Sequence, residues 1–315
     1  MHPAYTIIVF TVASGAGYGL LAAMGLLGAL GLLPVERWFG GIGIGFALAA
    51  ITLGLLSSTL HLGHPERAWR ALTQVRSSWL SREGVLALLT YPLVLIFAYG
   101  WVVLGRTDGP WAIAGIAAAI GAALTVASTA MIYASLKPVH QWRNRWVPLN
   151  YLALAAMSGA LWLNGLAHGF GAAGPGMTAL SLGLLSLALI LKGGYWRFID
   201  RTTSPATAES ATGLGAIGTV RLLEAPHTEA NYLMREMGFQ VARKHANRLR
   251  GITVAAGFLI PAILVLAALA LPGWAGTAAA TLAALVSTLG ILTERWLFFA
   301  EAKHTVSLYY GAKTA

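Results

Sequence analysis

No cysteine occurs in the 315 residues. That excludes disulfides, thiolate zinc sites and any iron–sulfur cluster held by this chain alone; if electrons pass through it, another subunit must bring them. Charge is scarce as well: Asp, Glu, Lys and Arg make up 10% of the residues, against roughly 25% in soluble domains. No Lys or Arg precedes Arg37. The first apolar run therefore lacks the basic n-region of a cleavable signal and is expected to be retained. Segments of alternating polarity about ten residues long, which a membrane β-barrel needs, are missing too.

Apolar residues are abundant: they form 57% of the chain, and the mean hydropathy is +0.70. Eight runs, near 7–33, 39–60, 84–104, 111–136, 147–168, 177–196, 252–271 and 275–296, are long enough to cross about 30 Å of hydrocarbon. Each contains Gly or other small residues, which suit close helix packing in lipid. The expected fold class is all-α: one membrane domain over residues 1–315, a polytopic bundle of eight transmembrane helices.

Eight spans put both termini on the face that also carries the loops after spans 2, 4 and 6. Nineteen of the Lys and Arg residues fall there, leaving Arg37 and Arg106 for the other face. The positive-inside rule then places both termini in the cytoplasm, with a bacterial inner membrane as the setting. Trp69-Arg70, Trp142-Arg143, Trp196-Arg197 and Arg295-Trp296 read as interfacial anchors, indoles at headgroup level with guanidinium groups reaching to water. A partial echo between "STLHLGHPERAWR" and "ASLKPVHQWRNR" hints at duplication of a helical unit.

One long cytoplasmic loop is expected, over residues 197–249 between spans 6 and 7. Its first part is rich in Ser, Thr and Ala, while "EANYLMREMGFQVARKHANRL" has the pattern of an amphipathic interfacial helix. Gly213, Gly215 and Gly218 in "GLGAIG" match a dinucleotide-binding pattern. No strand precedes them and no βαβ unit surrounds them, so that site is rejected. Beside such short neighbours, a basic loop of this length reads as a docking surface for a cytoplasmic partner.

Ionisable groups near the spans are the functional candidates. His2, His61, His64, His140 and His304 fall at the cytoplasmic ends, His227 and His245 in the long loop, and His168 alone at the opposite face. A haem needs facing axial imidazoles inside the bundle, and no histidine is placed opposite His168, so no haem is expected. What remains is a cluster at one depth: His61, His64, Arg67 and Arg70 after span 2, then Ser81, Arg82 and Glu83 at the start of span 3. His61 and His64 share a helical face if the helix continues to Pro65, which is also suited to open a short interfacial helix. Each residue has a plain alternative: the arginines as topology signals, and Glu83 as a first-turn carboxylate complementing the helix dipole. Together, an imidazole titrating near neutrality and a carboxylate at the edge of hydrocarbon are what a quinone pocket requires.

The stretch "STLHLGHPERAWRALTQVRSSWLSREG", with the opening "MHPAYTIIVFTVASGAGYGLL" and the ending "ERWLFFAEAKHTVSLYYG", resembles the membrane-anchor subunits of dimethyl sulfoxide reductase. The resemblance implies a chain that anchors a molybdopterin catalytic subunit and a four-cluster ferredoxin-like iron–sulfur subunit, and exchanges electrons with a quinone, ubiquinone or menaquinone. Molybdopterin and clusters then reside only in the partners. By this match His61 falls on a histidine implicated in quinol binding, and Glu83 on the acidic residue after the second span. His64 departs from the pattern. The loop "LGAIGTVRLLEAPHTEANYLMREMGFQVARKHA" is similar to anchors of cytoplasmic sulfite-oxidising complexes. That implies sulfite oxidation feeding a quinone near His61, with Glu83 relaying protons and Arg67, Arg70 or Arg82 steadying negative charge or holding the ferredoxin-like subunit. The alternatives are a quinol-oxidising anchor of a terminal reductase, a passive anchor, and a secondary transporter. Charge within the spans is expected to be essentially absent, which speaks against the transporter. Nothing suggests nucleic acid as a partner.

Overall fold

The computed structural model describes residues 4–60, 62–224, 229 and 241–312, with the side chains of residues 241 and 242 left aside. Among these residues there is no strand. Eight helices are long and apolar enough to cross a membrane: α1 (Tyr5–Ala29), α2 (Arg37–Thr59), α3 (Trp79–Leu104), α4 (Gly109–Ala134), α5 (Trp146–Gly169), α6 (Pro175–Arg201), α7 (Ala246–Ala270) and α8 (Gly273–Ala300). Span 3 begins five residues before the apolar run at 84, because Ser78 caps it by accepting from the Ser81 N–H at 3.4 Å. Span 6 extends to Arg201, so the long loop opens at residue 202.

α1 and α5 are the most enclosed helices. α1 packs on α2, α4, α5 and α8, and α5 on α1, α4, α6 and α8. Their approach depends on glycine: a Cβ on Gly19 would sit 1.8 Å from the Ala155 carbonyl oxygen, and one on Gly159 would sit 2.0 Å from the Gly19 carbonyl carbon. Only a missing side chain lets the two backbones touch there. α2 meets α1 through Gly43, Ala47, Ile51 and Gly54, spaced three to four residues apart on one face.

α3 packs closely on α4 and only lightly on α2. Its contact with α2 is concentrated at its last turn, Tyr99–Leu104, which is wound as a π-helix. There Trp101 is fully buried, 6.0 Å from Phe39 and against Gly40. A further tie joins the pair midway, where the Thr52 and Tyr91 hydroxyls lie 2.7 Å apart. Toward the face that carries the chain ends (the terminal face) Leu53, Leu56, Leu60, Leu80 and Leu88 are all exposed. α7 carries a second π-helical turn, Ala255–Leu259, just before Pro261. Ser287 on α8 donates to the Gly257 carbonyl at 3.0 Å, satisfying a polar group within this irregular turn.

In the long loop, Gly213 takes φ +73° and closes the short helix Ala208–Thr212, so the glycine pattern sits in a turn after a helix. Of the expected amphipathic helix, residues 230–240 lie outside the described residues. The remainder forms Val241–Lys244 and the start of α7.

Candidate functional site

The expected cluster lies on the terminal face, between α2 and α3. α2 ends at Thr59, and His64 has φ −138° and ψ 74°, so the helix does not continue to Pro65, the condition on which the shared histidine face depended. His61 lies outside the described residues. Pro65 does open a short helix, Pro65–Gln74, wound as 3-10 and with no buried residue. His64 Nδ1 lies 3.0 Å from Glu66 Oε1, and both side chains are about two-thirds exposed, at 67% and 64%. Arg67 stands 3.7 Å from the same carboxylate, and Arg70 lies 5.7 Å from the Trp69 ring. This segment presents its charge to the outside.

The other three residues behave differently. Ser81 is fully buried and accepts from the Gln74 N–H at 3.1 Å, pinning the end of the short helix to α3. Arg82 folds back over its own turn. Its Nε donates to the Val75 carbonyl at 2.9 Å and its Nη2 to the Arg76 carbonyl at 2.8 Å, with the guanidinium 4.2 Å from the Trp79 ring. Glu83 is 4% exposed and accepts from the Thr129 hydroxyl of α4. Because α3 starts at Trp79, Glu83 lies beyond the first turn, so the dipole explanation for its placement does not apply. Tyr18 of α1 and Tyr133 of α4 lie within its electrostatic reach. The structure thus brings Glu83 and Ser81 into the bundle and leaves His64, Arg67 and Arg70 on its surface.

The spans are not free of charge, as the sequence had suggested. Lys192 of α6 and Glu294 and Arg295 of α8 are 2%, 1% and 3% exposed. Lys192 Nζ donates to Glu294 Oε1, and Arg295 Nε lies 2.7 Å from Glu294 Oε2. The Arg295 guanidinium also covers the Tyr151 ring at 4.0 Å. At 1.5 Å per residue, Lys192 lies about 13 Å inside the end of α6 and Glu294 about 9 Å inside the end of α8. Arg295, buried against Glu294 and Tyr151, does not reach out to water as a headgroup anchor would. Trp142 and Trp196 are not free anchors either: both are buried, and the Trp142 indole donates to the Phe298 carbonyl at 3.0 Å. Trp69, 62% exposed, keeps the interfacial character expected of it.

Outward of this cluster, Lys192 Nζ and the Arg250 guanidinium lie 5.2 Å and 5.6 Å from the Trp196 ring. Arg250 makes a two-pronged pair with Asp200, at 2.7 and 2.9 Å, and also holds Glu301. Burial pushes the Glu301 carboxyl above the usual carboxylate range despite the opposing pull of Arg250. Asp200, Arg250 and Glu301 line a polar pocket of about 380 Å³ on the terminal face, with Arg243 and Lys303.

Sequence reasoning passed over Thr129, Lys192 and Glu294 as site residues and read Arg295 only as an anchor. The signal was present for the last two, because the apolar run Leu297–Ala300 continues past them. A charge followed by another helical turn of apolar residues lies inside a span.

Compared with known proteins, residues 1–299 match the family described as "DMSO reductase anchor subunit (DmsC)". The chain is also 33% identical to a sulfite dehydrogenase subunit from Allochromatium vinosum, over 98% of its own length and 99% of that relative's.

Proposed function

Because this chain belongs to the DMSO reductase anchor subunit family, we propose that it passes electrons from an iron–sulfur partner to a membrane quinone beside Glu83. It is a multi-pass membrane protein and the membrane anchor of an oxidoreductase. The observation that carries the finer reading is the buried Glu83 carboxyl, hydrogen-bonded by Thr129 of α4, on a helix that packs only lightly on α2. The exposed leucines on α2 and α3 offer the apolar surface that an isoprenoid tail needs, and the carboxyl offers an exchangeable proton. These residues fit a quinone, ubiquinone or menaquinone. When bound, such a molecule accepts two electrons and two protons.

In this reading Glu83 holds a proton and delivers it toward the seam between α2 and α3, while Thr129 fixes the orientation of its carboxyl. His61, placed by sequence one residue past the cap of α2, supplies the second exchangeable proton. Ser81 and Arg82 act on the turn: their bonds to residues 74–76 hold the short helix against α3. His64, Arg67 and Arg70 then face the iron–sulfur subunit or steady charge at the headgroup level. The basic terminal face is cytoplasmic, as its excess of Lys and Arg supports. The partners there are a four-cluster ferredoxin-like subunit and a molybdopterin catalytic subunit. Sulfite is the proposed electron source, supported by the name of the Allochromatium relative. The family description favours a second reading, with electrons flowing from quinol to a terminal reductase.

Purification of the intact complex tests this reading. We expect a molybdenum enzyme and an iron–sulfur protein to copurify, and sulfite to reduce decylubiquinone. Glu83→Gln is expected to lower that rate at least tenfold with assembly intact. An assembled Glu83→Gln complex turning over decylubiquinone at the native rate would refute the role of Glu83.

A further inference from the structure

A cavity of about 20 Å³ lies between α1, α4, α5 and α8, walled in part by Thr11, Ser14, Thr129, Tyr151, Ser158 and Arg295. About 10–15 Å³ suffices for one water, provided two to four polar partners surround it. The partners are there. Arg295 is 3% exposed, and its Nη1 has no hydrogen-bond partner within the described residues. The buried Tyr151 hydroxyl lies within hydrogen-bonding reach of the Arg295 guanidinium but makes no well-formed bond either. Thr129 and Ser14 use their hydroxyl hydrogens on Glu83 and on the Phe10 carbonyl, which leaves their oxygens able to accept. A buried guanidinium N–H left unpaired is costly, and one water accepting from Arg295 while donating to Thr129 removes that cost.

We propose that this cavity holds one ordered water that, with Thr129, joins Glu83 to the Lys192–Glu294–Arg295 cluster, and that protons reach Glu83 along this internal line. The proposal rests on the reading of Glu83 as a proton-exchanging acid. A carboxyl 4% exposed needs a hydrogen-bonded path to exchange at all. Thr129 suits the first step because its hydroxyl donates to Glu83 Oε1 while its oxygen is left to accept from the water. It can therefore give a proton to one side while taking one from the other. Arg295 keeps its own proton and positions the water. Tyr151 and Glu294 are the groups beyond it that can pass a proton on. On the outer side the line stops at Lys192, because the Trp196 ring that stands 5.2 Å from its Nζ carries no proton onward. The three buried charges thus sit where a proton store behind Glu83 would be placed.

Two measurements on the whole complex test the proposal. A high-resolution density map is expected to show a water within about 3 Å of Arg295 Nη1. An empty cavity in a map that resolves other buried waters overturns the proposal. In the second, sulfite-driven reduction of decylubiquinone is compared with that of ferricyanide. Thr129→Val is expected to lower the ratio of the two rates at least tenfold, through kcat and not through the KM for decylubiquinone, with Thr129→Ser restoring it. Tyr151→Phe, which keeps the ring beneath Arg295, is expected to lower the ratio in the same direction. A native ratio in both Thr129→Val and Tyr151→Phe, with Glu83→Gln impaired, overturns the internal line alone. A native ratio in Glu83→Gln overturns the acid reading instead, and the map still decides whether the water is present.

Discussion

Replacing Glu294 by Gln should destabilise the protein far more than replacing Lys192 by Met, although the two residues form one ion pair. The difference comes from the balance of charge inside the bundle. Lys192, Glu294 and Arg295, all at most 3% exposed, comprise two cations and one anion. Lys192→Met leaves Glu294 against Arg295 Nε at 2.7 Å, a balanced pair. Glu294→Gln leaves two cations facing each other with no anion between them. Removing one partner from a buried ion pair costs about 3–5 kcal/mol when the other charge is stranded, whereas replacing ionic groups by apolar ones of similar volume is often nearly neutral. Glu294→Gln is therefore expected at or above the upper part of that range, roughly three decades in the folding equilibrium, and Lys192→Met at or below its lower end. Soluble-domain scaling of about 2–4 °C per kcal/mol puts the Glu294→Gln midpoint on the order of 10 °C below native. Thermal unfolding in detergent, followed by tryptophan fluorescence, reads this directly. A Lys192→Met protein that melts at or below Glu294→Gln would refute the charge count.

Two further outcomes follow from local geometry. Gly159→Ala puts a methyl 2.0 Å from the Gly19 backbone and should cost at least the roughly 1–3 kcal/mol of ordinary overpacking, while Gly45→Ala, which meets nothing within 4 Å, should be silent. Equal melting midpoints for the two would contradict the helix crossing. At the C-terminal helix Thr305–Tyr310, His304 Nδ1 accepts from the Val306 N–H at 3.0 Å, and burial holds the imidazole below its ordinary pKa. The folded state then binds its proton later than the unfolded state, so this cap is fully present above about pH 6.5 and is lost as pH falls through the lower folded value. Hydrogen exchange at residues 305–310, corrected for intrinsic rates, should rise across that window. Protection that stays flat from pH 7.5 to 5 would rule the cap out.

The eight spans were legible because length and apolar composition alone decide whether a helix can cross a bilayer, and each apolar run has its helix in the structure. Their ends were less so. Ser78 caps α3 more than one turn before the apolar run at 84 begins, and the cap, not hydropathy, sets the boundary. The cluster after span 2 was legible as a collection of charges but not as two populations. Whether Arg82 reaches outward or folds onto the Val75 and Arg76 carbonyls depends on the path of the turn, which residue spacing does not encode. Lys192 was counted only among the basic residues of the terminal face, because a lone lysine near the end of the run 177–196 gives no sign of the partner on α8 that it faces. Glu83 was legible as a candidate, but its partner Thr129 was not, since a threonine in an apolar helix acquires meaning only from the helix it faces.

The contact between Gly19 and Gly159 makes α1 and α5 a spindle. With backbone pressed on backbone, neither helix can slide or roll without a collision measured in tenths of an ångström. Any breathing of the bundle must then come from its outer staves, above all α2 and α3, whose shared seam is thin. Under the proposed function, a bulky lipid-borne molecule would wedge that seam apart while Thr129, Tyr151 and Arg295, seated on or against the spindle, keep their places.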